Sequence, residues 1–203
     1  MSIEAATVRR NHDRVRERVG PAVEILAAIK YVEADDLPAL AEGGVTLVGE
    51  NRAQELALKQ DAHGDLFDWD FIGALQSRKV KELAPRVRLI HTLASESALA
   101  KLEANPVAEV LVQVNVAGEE GKGGIAPAEL AGFIERSPVP VSGLMTMPPF
   151  AEDPEASRPH FARLAELAGE HGLARLSMGT TQDYAVAAEE GATIVRIGST
   201  LYS

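Results

Sequence analysis

The sequence predicts an α/β fold, a closed (β/α)8 barrel built as one domain over residues 1–203. Three observations point there. Eight short apolar runs recur along the chain, and stretches of helical spacing with clear stop signals alternate with them. Dividing the chain by eight leaves about 25 residues per unit, a compact spacing for βαβ crossovers, and strict alternation implies a parallel sheet. A doubly wound open sheet has the same alternation, so the placement of polar residues along the strands helps to decide closure.

Strands are expected at residues 24–30 (EILAAIK), 45–49 (VTLVG), 67–73 (FDWDFIG), 87–93 (VRLIHTL), 109–116 (EVLVQVNV), 139–147 (VPVSGLMTM), 173–179 (LARLSMG) and 193–198 (TIVRIG). A charged, helix-patterned segment, MSIEAATVRRNHDRVRERVG, precedes them. Helices follow the first seven strands in turn: DDLPALAEGG closing on glycines, RAQELALKQ, SRKVKELAP stopped by proline, SESALAKLEANP, APAELAGFIER, PEASRPHFARLAELAGEHG and TQDYAVAAEEG. No linker, repeat or low-complexity tract divides the chain.

Composition narrows the function. With 20 basic and 30 acidic side chains the formal charge is −10, which repels a phosphate backbone and argues against nucleic acid as a partner. There is no cysteine, which removes disulfides, thiolate chemistry and sulfur-ligated metals and fits a reducing compartment. The amino-terminal segment lacks the apolar core of a signal peptide, and nowhere do 18 apolar residues run together. A soluble, cytoplasmic protein without a membrane partner is expected.

In such a barrel the reactive residues sit at the carboxyl ends of the strands and in the loops that follow. Lys30, Gly49 to Asn51, Gly73 and Gln76, Asn115, Thr146 and Met147, Ser177 to Thr181, and Arg196, Gly198 and Ser199 all fall there. The seventh and eighth loops, SMGTTQD and GSTLYS, occupy the positions where barrels often hold a phosphate. Gly179 and Gly198 would open backbone amides to an anion, and Ser177 and Ser199 would add hydroxyl donors. Either loop alone reads as a helix cap and a chain turn; the two together read as a phosphate cradle.

Lys30 closes an apolar run. A buried lysine loses part of its ammonium character, becomes a nucleophile and can condense with an aldehyde, whereas a lysine at a strand end can equally snorkel to water. Arg196 shares the face of Ile194 and Gly198; it would either donate a hydrogen bond to an unprotonated ring nitrogen or pair with an inward carboxylate such as Glu50. Asn51 followed by Gln54 fits a capping box for the next helix, yet Asn51 also lies on the reactive rim. The five histidines show no ligand spacing, so no metal is expected, and the methionines read as barrel packing, with Met147 and Met178 near the pocket.

The segments AAIKYV, VGENRAQE, WDFIGALQSRKVKELAP, LVQVNVAGEEGKGGIAPAEL, GLMTMPPFAEDPEASRPHFARLAEL and LSMGTTQDYAVAAEEGATIVRIGSTLYS resemble, in order and nearly end to end, the pyridoxal 5'-phosphate homeostasis protein family, single-domain relatives of the alanine racemase barrel. That resemblance implies a TIM barrel carrying pyridoxal 5'-phosphate as a Schiff base on Lys30, with Arg196 facing the pyridine nitrogen and Asn51 beside the cofactor. It further implies that Ser177, Gly179, Gly198 and Ser199 belong to the phosphate site. The family usually has histidine where this chain has Asp70, SMGMS where it has SMGTT, and threonine where it has Ser199.

Two functions follow. One is a monomeric, non-catalytic protein that holds the cofactor and delivers it to pyridoxal phosphate-dependent apoenzymes; the other is a racemase or decarboxylase of low activity. The first is favoured because only STLYS follows the last strand glycine, too little for the second domain that completes two-domain racemases. An arginine at the pyridine nitrogen also disfavours the pyridinium electron sink. A small-phosphate isomerase on the same barrel is a more distant reading.

Overall fold

The computed structural model describes residues 3–203. Eight parallel strands close on themselves in chain order: β1 (Glu24–Ala28), β2 (Leu47–Glu50), β3 (Asp68–Phe71), β4 (Leu89–Leu93), β5 (Glu109–Gln113), β6 (Val141–Met145), β7 (Arg175–Thr180) and β8 (Ile194–Ile197). Closure is made by β8 on β1, with Leu26 opposite Arg196. Each strand falls inside an apolar run of the sequence, except that β2 and β7 each extend one residue beyond theirs.

The helices are α1 (Ala5–Val19), α2 (Leu37–Glu42), α3 (Ala53–His63), α4 (Val80–Leu83), α5 (Glu96–Ala104), α6 (Leu130–Glu135), α7 (Arg158–Glu170) and α8 (Tyr184–Glu189). Helix α1 buries Val8, Asn11, Val15 and Val19, spaced three or four apart on one face, and leaves its charged residues outside. After β8 comes only a single helical turn, Ser199–Leu201. Helix α1 packs against α2, α8 and that turn, so it stands where the eighth crossover helix of the ring would lie. Asn11, the polar member of its buried stripe, donates to the carbonyl oxygen of Leu201 at 3.3 Å.

Strand alternation divides the apolar side chains into two clusters. Leu26, Leu47, Leu89, Leu111, Met145 and Ile194 fill the inside of the barrel. The other parity, including Ile25, Ala27, Val48, Ile90, Val110 and Val195, packs outward against the helices. Full burial of each such side chain stabilises the fold by about 1.5–3 kcal/mol. Below the inner cluster, at the amino ends of the strands, Glu24 accepts from Arg88 at 2.7 Å and lies 3.4 Å from Arg175, which reaches Glu109 at 3.0 Å. Ion pairs thus link the amino ends of the strands beneath the inner cluster.

One irregularity bears on the site. Between β7 and β8 the register shifts, so that three steps from Ser177 to Thr180 match two from Ile194 to Arg196. Gly179 lies in this bulge with φ +86°, where an added Cβ would sit 2.5 Å from the Cβ of Ala187 in α8. Gly73, after β3, passes so close to Asn51 that a Cβ there would overlap the Asn51 carbonyl oxygen, and its own carbonyl accepts from Thr92 Oγ1. The Gly73→Ala variant should lose about 1–3 kcal/mol of stability in urea denaturation, because the obstructing atom is backbone and cannot rotate aside.

Candidate functional site

The barrel mouth holds a cavity of about 590 Å³. This is a usual size for a small-molecule site. Lys30, Asn51, Arg196, Gly198 and Ser199 line it, together with Thr180 and Thr181 from the seventh loop and Tyr31, Met147 and Tyr202. Two cations face this space and, among the described lining residues, no carboxylate does, although the whole chain carries a charge of −10. A pocket of that polarity in an acidic protein favours an anion.

Each anticipated site residue has a definite place. Lys30 lies two residues beyond the end of β1 in a turn closed by the Val32 amide on the Ile29 carbonyl, 3.0 Å away. It is exposed, with its ammonium 4.6 Å from the ring centre of Tyr31. The expectation of a buried amine is thus corrected, since the strand stops early and the side chain emerges at the rim. The buried lysine of this region is Lys59 of α3, which donates to the Ile29 carbonyl at 2.8 Å and to Glu50 Oε2 at 2.6 Å.

That pair also replaces the suggested partnership of Glu50 with Arg196. Glu50 Oε1 accepts from the amides of Asn51 (2.7 Å) and Arg52 (3.3 Å), so a carboxylate from the strand fixes the turn that leads into α3. The capping box of Asn51 and Gln54 does not form: the N-cap is Arg52, whose side chain makes no capping bond. Asn51 Oδ1 is instead buried without a partner. A buried acceptor left unpaired costs stability.

Arg196 is buried in the barrel, where Nη1 donates to Ser177 Oγ at 2.6 Å and Nη2 to the Thr146 carbonyl at 2.9 Å, with Met147 Sδ also 2.9 Å from Nη2. Burial pushes its pKa down to about 10, against a weak opposing pull from Asp183, so it stays protonated at neutral pH. With five N–H groups and three contacts made, it has donors left for a ligand.

Ser177 and Gly179 do not line the cavity. Ser177 is fully buried below its floor, with Oγ held between Arg196 and His91 Nδ1, the latter at 2.8 Å. The bulge turns Gly179 toward α8 and brings Thr180 and Thr181 to the mouth in its place. Thr181 Oγ1 accepts from the Gly198 amide at 3.2 Å, tying the two loops together. Asp183 fixes the seventh loop by accepting from the Thr180 amide at 2.7 Å and from Ser157 Oγ at 2.8 Å. Of the methionines, Met145 and Met147 line the cavity, whereas Met178 faces the outer core.

Sequence reading missed Asp70 and His91, both fully buried inside the barrel. Burial raises the Asp70 carboxyl, but hydrogen bonds from His91 and Arg88 outweigh it and the net shift is downward. Burial depresses His91 more than Asp70 supports its charge. The pair therefore rests as carboxylate and neutral imidazole.

A family model described as the alanine racemase N-terminal domain matches residues 3–203. A pyridoxal phosphate homeostasis protein of Aquifex aeolicus is 42% identical over 215 residues, covering 93% of this chain and 94% of that one. One of the same name from Pseudomonas aeruginosa is 34% identical over 220 residues, covering 100% and 96%. Among solved structures, PipY of Synechococcus elongatus with pyridoxal phosphate bound superposes with a TM-score of 0.84 at 27% identity, over 97% of this chain and 100% of that one.

A stability profile checks the charge states. A neutral buried histidine takes up fewer protons than the unfolded chain below its ordinary pKa of 6.5, so its contribution is complete above that value and declines as pH falls through it. Asp70, depressed from 3.8, adds a further loss lower on the scale. The melting temperature should fall steadily below pH 6.5. In His91→Gln the upper part of that decline should flatten, leaving the smaller slope owed to His12, which burial also lowers.

Proposed function

The chain belongs to the alanine racemase N-terminal domain family, and we propose that it binds pyridoxal 5'-phosphate in the barrel mouth, buffers it within the cytoplasm and passes it to apoenzymes without an efficient reaction of its own. The observation that carries this reading is a cavity of fitting size, lined by two cations and no carboxylate among the described residues. The names of the Aquifex and Pseudomonas relatives and the ligand in PipY supply the identity of the anion.

The residues present fit the group. When bound, it supplies an aldehyde that joins a lysine amine reversibly. Lys30 is the amine at the rim, and the hydroxyls of Ser199 and Thr181 lie together as donors for a phosphate, while Gly198 and Thr180, whose amides are held by Thr181 and Asp183, shape the two loops around it. Asn51 lines the cavity, and its buried Oδ1 is an acceptor that no described residue satisfies. Arg196 offers N–H donors to a ring nitrogen and, being protonated, leaves that nitrogen as acceptor. Ser177 and Gly179 act from behind, the first on Arg196 and the second by shaping the bulge.

Storage rather than turnover is supported by two features. Lys30 is exposed, so an incoming aldehyde reaches it without any rearrangement of the core. An unprotonated ring nitrogen beside a guanidinium also withdraws electrons weakly, which disfavours carbanion chemistry.

Pure protein incubated with pyridoxal 5'-phosphate should develop a visible absorption band, and borohydride should fix the cofactor on Lys30. Lys30→Ala should fold normally and lose both. An unchanged band in that variant would remove Lys30 as the anchor. Turnover of any member of an amino-acid panel well above free cofactor would replace the carrier with an enzyme.

A further inference from the structure

Four polar side chains cross the barrel interior toward the cavity floor. Asp70 Oδ2 lies 3.0 Å from His91 Nε2, His91 Nδ1 lies 2.8 Å from Ser177 Oγ, and Ser177 Oγ lies 2.6 Å from Arg196 Nη1. At the far end Arg88 donates to both oxygens of Asp70, Nε to Oδ1 at 3.0 Å and Nη2 to Oδ2 at 2.8 Å. The four come from four strands, β3, β4, β7 and β8.

Only one direction of hydrogen bonding satisfies every member. Asp70 accepts from Arg88 on both oxygens, so it is an ionised acceptor and His91 must carry its proton on Nε2. A neutral ring then has Nδ1 as acceptor, and the hydroxyl of Ser177 donates to it. That leaves the lone pairs of Ser177 toward Arg196, whose Nη1 donates to them. With the proton on Nδ1 instead, Ser177 would face two donors and its own hydroxyl proton would have no acceptor.

We propose that Asp70 and His91 are positioning residues which, through Ser177, hold the guanidinium of Arg196 in place so that its spare N–H groups face a ring nitrogen of the bound ligand. The ligand named here rests on the reading of the site as a pyridoxal 5'-phosphate pocket; the order of the chain does not. Asparagine at position 70 cannot serve both Arg88 and His91, because its one oxygen replaces two acceptors. With that oxygen kept by Arg88, its amide faces His91 and drives the imidazole to the other tautomer.

Nitrogen-15 NMR of the ligand-free protein should find His91 neutral and protonated at Nε2 at pH 7, and Asp70→Asn should shift it toward the Nδ1-protonated form. Pyridoxal 5'-phosphate should then bind about five- to tenfold more weakly, as expected for one lost polar contact. Ser177→Ala should cause a loss of similar size, and adding Asp70→Asn to it should cause no more. Losses that multiply in the double variant, or an Nδ1-protonated His91 in the wild type, overturn the proposal. The wild-type tautomer decides it even if Asp70→Asn fails to fold. Failure of the wild type to bind the cofactor overturns the functional reading alone.

Discussion

A guanidinium buried at the bottom of an open barrel mouth is the constraint around which this site is arranged. Arg196 remains charged at neutral pH, yet among the described residues no carboxylate pairs with it. Neutral acceptors hold it instead, a serine oxygen, a backbone carbonyl and a thioether. Such a charge is tolerable only where acceptors meet most of its donors and its surroundings are fixed. The polar chain through His91 and the register shift in β7 both serve that end.

The carboxylates nearest the site are committed elsewhere. Glu50 answers Lys59 and the turn before α3, Asp70 answers Arg88, and Asp183 is spent on the loop after β7. This separation lets a strongly acidic chain present a cationic hollow. Had any of the three pointed into the cavity, it would have neutralised one of the two positive groups that make the site selective for an anion.

The sequence disclosed the fold almost completely because each strand is a short apolar run and each crossover carries its own stop signals. The site was legible where it depends on local position: Lys30, Asn51, Arg196, Gly198 and Ser199 all reach the cavity. It was obscured where one residue of irregularity reversed the facing of the chain, as at Gly179, or where β1 ended two residues before Lys30. Asp70 and His91 were passed over because their partners are distant in sequence, 86 residues in the case of His91 and Ser177. Of the two roles open to Asn51, the capping box fails because Arg52, not Asn51, stands at the N-cap of α3.

The sheet also acts as a partition. Leu26, Leu47, Leu89, Leu111, Met145 and Ile194 touch one another across the axis and are walled off by backbone from the larger cluster under the helices. A change of volume on one side has to be absorbed on that side, since the hydrogen-bonded wall transmits little. Descendants of this chain would be expected to exchange sizes among the six axial residues in concert while the outer shell drifts separately, and covariation should accordingly fall into two blocks that interleave along every strand.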